Sequence, residues 1–225
     1  MEILHRDDLP LGGFAGVRER RLIMDAKLYR EGTEPGTWPG LESLVYLADA
    51  RFVPKGRTGL HRHHDIDVIS VMVEGRISHA GSLEHGQEMK ADDVQVQRAG
   101  EEGFAHDEIN PDDGENRMLQ LWALPESTGG PAAYKFYRPR RGGLTRVYGG
   151  RENQDETFSS HTLIEIGLLD AGQGISVKGP FLAYVSRGKG ICNGEAVTDG
   201  DLVRGEDLAF DASDDAQLIV VHTMG

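Results

Sequence analysis

Apolar and polar residues alternate in short runs along most of this chain, and turn residues close each run. From Leu41, LESLVYLADARFVPKG alternates in part and ends in a Pro-Lys-Gly turn. HDIDVISVMVEG sets Ile66, Val68, Ser70 and Met72 or Val73 in alternation before a Glu-Gly turn. RISHAGSLEHGQEMKADDVQVQRAG predicts strand, turn (Glu84-His85-Gly86), strand, turn (Lys90 to Asp93), strand. After an acidic NPDDGEN loop comes the β-rich run MLQLWALP. Strands spaced roughly eight to twelve residues apart, with turn signals between them, predict a sandwich or barrel. Helical periodicity is absent from this half, so the expected class is all-β.

The rhythm pauses at ESTGGP (126–131) and at the basic aromatic run YKFYRPRR, which leads into GGLTRVYGGRENQDETF. It resumes from Ser160 in HTLIEIGLLDAGQGISV, PFLAYVSRGKGICNG, EAVTDGDLVRGEDLAFDAS and DAQLIVVHTMG. The expected organisation is therefore an N-terminal domain over 1–130, a connecting segment over 131–159 and a C-terminal domain over 160–225. VEGRISH…MKADDVQV echoes SRGKGICNG…VTDGDLVR: a glycine turn ends one strand and an Asp-rich turn opens another. That echo predicts two copies of one β module. Residues 1–43 fit no clear pattern; RERR and LIMDAKLYR suit a strand or a short helix, and Trp38 suits a packing anchor.

Composition narrows the function classes. The 225 residues include 30 glycines and nine prolines, as a turn-rich β protein needs. The net charge of −13 repels phosphate backbones and anionic membrane surfaces, which argues against direct nucleic-acid or membrane binding. A single cysteine, Cys192, excludes an internal disulfide and suits a reducing compartment. MEILHRDDLP lacks an apolar signal core, and no run of about 18 apolar residues occurs, so a cytoplasmic protein without a membrane span is expected.

The candidate chemistry lies in two short pairs, His61-x-His63 and His106-x-Glu108. Residues two apart on a strand share a face, so each pair can aim both donors at one point. His64 and Asp107 then point the other way. Gly-containing turns (Lys55 to Gly59 and Ala99 to Gly103) abut both pairs and let the backbone turn sharply into them. Three imidazoles at about 2.1 Å and one carboxylate oxygen would hold a first-row divalent ion with a position left open.

These residues also carry a resemblance. Gly59-Leu60-His61-Arg62-His63, then Asp67, Glu74-Gly75 and Ser78-His79-x-x-Ser82, resembles the first metal motif of the pirin branch of the cupin superfamily. Asp93-Val94-Gln95-x-x-x-Ala99-Gly100-x-x-Gly103-Phe104-x-His106-x-Glu108, closing with Leu119-Gln120-Leu121-Trp122, is similar to the second. The likeness covers 41–125 and extends loosely through the second half. It implies two tandem cupin, jelly-roll-like β-barrels, with one metal in the first held by His61, His63, His106 and Glu108. It implies iron(II) as the metal, with nickel, copper, manganese or zinc also suited to such donors. It implies cleavage of a flavonol or related enediol with O2, in the manner of quercetin 2,3-dioxygenases, with Glu108 as the base. The alternative it leaves is a non-catalytic, iron-bearing regulatory or redox-sensing module that binds a protein partner. The chain departs from the family at Asp67, where glutamate is usual, and at Ala91-Asp92-Asp93, where a Pro-Gly-Asp turn is usual.

Other residues receive plainer expectations. Asp67 suits either a carboxylate orienting a ligand imidazole or a solvated strand position. His64 and His79 are expected at the surface or the core edge, and His85 in an exposed turn. Gln95 and Gln97 suit outward positions on a half-buried strand, the commoner arrangement, or one of them faces the cavity and hydrogen-bonds a metal-bound water. Met118 and Trp122 are expected in the core, and Cys192 buried and inert.

Overall fold

A computed structural model describes residues 1–30, 32–83 and 87–224. The turn at Glu84-His85-Gly86, with its histidine, lies outside the described residues. Nineteen strands and one 3-10 turn (Arg6–Asp8) make up the regular structure described, so the class is all-β. No helix among the described residues is long and apolar enough to cross a membrane.

Two compact units divide the chain, Leu9–Arg138 and the pair of segments Met1–Asp8 and Pro139–Gly225. The first strand, β1 (Glu2–His5), belongs with the C-terminal unit. The N-terminal unit contains β2 (Gly12–Phe14), β3 (Val17–Met24), β4 (Leu44–Phe52), β5 (His61–His63), β6 (Asp67–Glu74) and β7 (Arg76–Gly81). It continues with β8 (Glu88–Lys90), β9 (Val94–Arg98), β10 (Phe104–Ile109), β11 (Asn116–Ala123) and β12 (Ala133–Tyr137). These form a seven-stranded sheet in the order β12-β9-β6-β11-β4-β3-β2 and a four-stranded sheet in the order β5-β10-β7-β8. The C-terminal unit adds β13 (Gly143–Gly150), β14 (Ser160–Leu169), β15 (Gly174–Arg187), β16 (Lys189–Cys192), β17 (Glu195–Thr198), β18 (Asp201–Ala212) and β19 (Ala216–Thr223). One eight-stranded sheet joins them in the order β13-β14-β19-β15-β18-β16-β17, with β1 pairing β18.

The unit boundary falls after Arg138 and not at 130. The stretch 131–159, expected to connect, contributes β12 to the first unit and β13 to the second. β12 pairs β9 along Ala133–Tyr137 but is half-buried at every position, so it lacks the alternation that marks a strand in sequence.

The echo between the halves is a nested hairpin used twice. β6 pairs β9 around the inner hairpin β7–β8, and β15 pairs β18 around β16–β17. Gly75 and Gly188 open the inner hairpins at φ of 73° and 83°, in the left-handed region that glycine adopts freely. Asp93 and Asp201 close them: Asp93 Oδ2 accepts from the Lys90 amide at 3.0 Å and Asp201 Oδ2 from the Thr198 amide at 2.8 Å. Before those aspartates, Asp92 takes the left-handed conformation (φ 72°) that Gly200 takes in the second copy (φ 96°). Aspartate tolerates it, which explains how this chain manages without glycine there.

Candidate metal centre and its cavity

β5 and β10 pair antiparallel with His61 opposite His106 and Phe104 opposite His63. That register brings three imidazoles together from two ribbons. His61 Nε2 lies 2.9 Å from His106 Nε2, which lies 3.1 Å from His63 Nε2. Among the described residues, these three form the cluster of donors close enough to hold one metal ion. Gly103 (φ 70°) lets the chain enter β10 at this point, since a Cβ there would sit 2.8 Å from the His63 carbonyl oxygen.

The tautomers fix what the cluster can bind. The Gly59 carbonyl can only accept, so His61 Nδ1, 2.8 Å away, carries its proton. Gln97 Oε1 likewise accepts from His106 Nδ1 at 2.9 Å. When both rings are neutral, the two Nε2 atoms present bare lone pairs to one another at 2.9 Å, an arrangement that a cation lying among them relieves. Burial, reinforced by the other imidazoles, lowers the pKa of His63 to about 4 and of His106 to about 2. Those two rings are neutral at pH 7, the form that ligates a metal. The donor set fits a first-row divalent ion.

Glu108 stands two residues beyond His106, on the same face of β10 and in the wall of the same cavity as His61 and His63. Its carboxyl is not part of the three-histidine cluster. Ser70 Oγ donates to its Oε1 at 3.0 Å. Burial raises its pKa to about 7, partly opposed by that hydrogen bond and increased by Asp107.

Several residues expected at the periphery lie inside. His79 and Gln97 are fully buried, and Gln97 Nε2 donates to His79 Nε2 at 3.2 Å while its oxygen holds His106. Gln95 is buried too, donating to Ser70 Oγ at 3.4 Å. The outward expectation for both glutamines failed because β9 is covered on both faces: Val94, Gln95, Val96 and Gln97 are all buried. The roles of these residues depend on register across β6, β7, β9 and β10, which sequence alone does not reveal. Asp67 is not solvated; it is buried in a two-pronged ion pair with Arg98, at 3.1 and 2.7 Å. Asp107 points away from the triad, to Arg57 and to the Gly59 amide at 3.0 Å.

The cavity beside the triad holds about 560 Å³. Inward residues cross the seven-stranded sheet in rows: Tyr46–Trp122–Val68, Ala48–Gln120–Ser70 and Ala50–Met118–Met72. Trp122 stacks on Tyr46 with ring centroids 4.4 Å apart and meets the His63 ring edge-on at 5.6 Å. Glu19, Arg21 and Tyr29 line the cavity as well. Sequence reasoning missed Glu19, Arg21 and Tyr46. The register of β3 against β4 shifts between Arg21 and Ile23, and that irregularity hides the strand in VRERRLIM.

In the C-terminal unit His161 is exposed, and His222 donates to Glu165 at 3.1 Å, lowering the carboxyl's pKa. No metal-holding cluster occurs there among the described residues. Cys192 is buried, and burial pushes its thiol up to about 11, as an inert cysteine should be.

The Pirin family model matches residues 42–123. A Zymomonas mobilis protein with a provisional quercetin 2,3-dioxygenase name is 26% identical over 188 residues, 78% of this chain and 80% of that protein. The Escherichia coli K12 quercetin 2,3-dioxygenase is 31% identical over 81 residues, 36% of this chain and 35% of that enzyme. The chain thus aligns with about a third of that enzyme's length. Among solved structures, YhhW from Escherichia coli superposes with a TM-score of 0.81 at 17% identity, covering 99% of this chain and 97% of that one. The bacterial pirin YhhW in complex with nickel(II) gives 0.80 at 17% identity, covering 98% and 97%. A quercetin 2,3-dioxygenase from Acinetobacter baumannii gives 0.71 at 17% identity, covering 100% and 86%. At such identities the superpositions establish the shared fold.

Proposed function

We propose, from the premise that residues 42–123 are a pirin domain within a two-barrel cupin chain, that this protein is a metal-dependent dioxygenase of the quercetin 2,3-dioxygenase type. Its substrate is a flavonol or related enediol, taken with O2. The observation that carries the reading is the set of imidazole lone pairs converging beside an aromatic-walled cavity. His61, His63 and His106 hold one divalent ion, and Glu108 is the fourth donor of the set. Iron(II) is the first choice; nickel, copper, manganese and zinc suit the same donors. When bound, the ion supplies Lewis acidity that lowers the pKa of the substrate's hydroxyl.

The remaining work falls to the chain. Glu108, a buried carboxylate on the cavity wall, takes the hydroxyl proton. Ser70 steadies that carboxyl through its 3.0 Å hydrogen bond. Gln97 holds the His106 ring in the tautomer that leaves Nε2 free. Tyr46 and Trp122 offer a planar aromatic substrate a stacked wall and narrow the space open to water.

Elemental analysis of the purified protein, followed by O2 uptake with quercetin, tests this. One metal ion per chain and metal-dependent uptake are expected, and His106→Ala should abolish both. Uptake that persists after chelation would overturn the mechanism. Stoichiometric metal without turnover of any flavonol or catechol would favour the regulatory module with a protein partner.

A further inference from the structure

The cavity has a second polar station, away from the three histidines on the chain. Glu19 is buried on β3. Arg21 grips its Oε1 through Nε at 2.8 Å and Nη2 at 2.7 Å. Its other oxygen, Oε2, accepts a single long bond, from the Tyr46 hydroxyl at 3.3 Å. A carboxylate oxygen has room for two acceptor contacts, so Oε2 keeps accepting capacity. Arg21 also pairs with Glu34. Two carboxylates against one guanidinium leave this station net negative.

Trp122, stacked on Tyr46, supplies the opposite polarity. Its Nε1 is buried and has no hydrogen-bond partner among the described residues. A buried donor without a partner carries a desolvation cost, and such groups are uncommon in native interiors. Trp122, Tyr46, Glu19 and Arg21 all line the cavity that His61 and His63 line. One acceptor and one orphan donor thus belong to side chains of the same cavity wall as the aromatic stack.

We propose that Glu19 Oε2 and Trp122 Nε1 form a specificity subsite for an uncharged, planar, polyhydroxylated aromatic ligand. Glu19 accepts a ring hydroxyl and Trp122 donates to an oxygen of the same ligand. Tyr46 positions Glu19 and stacks, and the negative station disfavours a carboxylated ring. The inference rests on the proposed substrate class and adds which residues select within it. It concerns hydroxyls remote from the 3-hydroxy-4-keto group that the proposed reaction needs.

Two flavonols separate the parts. Quercetin carries remote hydroxyls and 3-hydroxyflavone does not, while both keep the 3-hydroxy-4-keto group. Binding to the metal-loaded protein is measured by calorimetry and by quenching of tryptophan fluorescence, alongside O2 uptake. Wild type should bind quercetin at least about tenfold more tightly than 3-hydroxyflavone, the scale of a hydroxyl matched to a buried polar group. Glu19→Gln, Tyr46→Phe and Trp122→Phe should each reduce that preference several-fold, with metal content and melting temperature reporting intact folds. Equal affinity of the wild type for both flavonols would overturn the subsite. So would variants that fold and keep the full preference. Selective binding without O2 uptake would sustain the subsite and reject the dioxygenase reading instead.

Discussion

In the C-terminal unit, Val185, Phe181, Leu208, Phe210 and Leu218 belong to one continuous apolar cluster that also takes in Cys192. In the N-terminal unit two smaller apolar patches stand apart, one around Phe52, Met72, Ile77 and Met118, another around Val45, Ile66, Val68 and Phe104, while Leu47, Ile69, Val96 and Leu121 form a buried apolar row of their own across the seven-stranded sheet. The row Ala48–Gln120–Ser70 runs between the row containing Met118 and the row containing Trp122. The opposing four-stranded sheet contributes His61, His63, His79, His106 and Glu108. Both units share the nested hairpin, so strand pairing is indifferent to what faces inward. The C-terminal copy gathers these side chains into one apolar cluster, and the N-terminal copy gives part of its interior to a polar-lined cavity, at the cost of many buried polar groups that each need a partner.

The sharpest break of that comparison is a cavity in the cohesive copy. Phe210 is 1% exposed, and Phe210→Ala should lower stability by about 3–5 kcal/mol. Denaturant unfolding measures the loss, and elemental analysis should find the metal content of the folded fraction unchanged. Metal lost in proportion to stability would mean that the two interiors are not separate in function.

The second prediction turns on Glu108 and on pH. Its pKa rises from 4.5 to about 7 on folding, so the folded state favours the neutral carboxyl. The resulting stability is complete below pH 4.5 and is lost as pH rises through about 7. His63 and His106 act oppositely: their folded values of about 4 and about 2 lie below 6.5, so they weaken the fold as pH falls below 6.5. Comparing Glu108→Gln with wild type, both metal-free, cancels the histidines. The variant should gain roughly 3 kcal/mol on wild type between pH 4.5 and pH 8, relative to its starting offset. A difference that stays flat across this range would show Glu108 already solvated or paired in the empty site.

What was legible in sequence follows from what each feature depends on. The strands, the nested hairpin and the three converging histidines depend on period-two spacing and turn residues, which are local. The all-β class and the grouping of His61, His63 and His106 were therefore visible. Gln97, His79 and Asp67 were misjudged because their partners lie on neighbouring strands. Polar residues on β9 looked outward only on the assumption that one face of the strand is wet. β12 was missed because an evenly half-buried edge strand has no alternation, and Glu19 because the irregularity in β3 breaks the pattern just beyond it. Glu108 lines the same cavity but stands outside the three-histidine cluster, and Ser70, its hydrogen-bond partner, comes from β6 in the other sheet.

The smallest effect discriminates best, because each unit buries one glutamine in a comparable way. Gln97 joins His79 to His106 at 3.2 and 2.9 Å, while Gln217 accepts from Ser186 Oγ at 2.7 Å in the C-terminal unit, which has no donor cluster among the described residues. Replacing either by leucine leaves a buried polar partner unsatisfied and should cost about 1–3 kcal/mol of stability. Only Gln97→Leu should touch the metal. Without its oxygen, His106 Nδ1 no longer has the acceptor that keeps the ring turned and its Nε2 bare. Affinity for a divalent ion should fall about 10- to 100-fold, as when a ligand histidine loses its supporting hydrogen bond. Gln217→Leu should leave that affinity untouched at a similar cost in stability. Competition with a chromophoric chelator reads the affinities and thermal melts of the metal-free proteins read the stabilities. Equal metal affinities in the two variants would reduce Gln97 to packing, and the polar interior of the first barrel would then need another reason to exist.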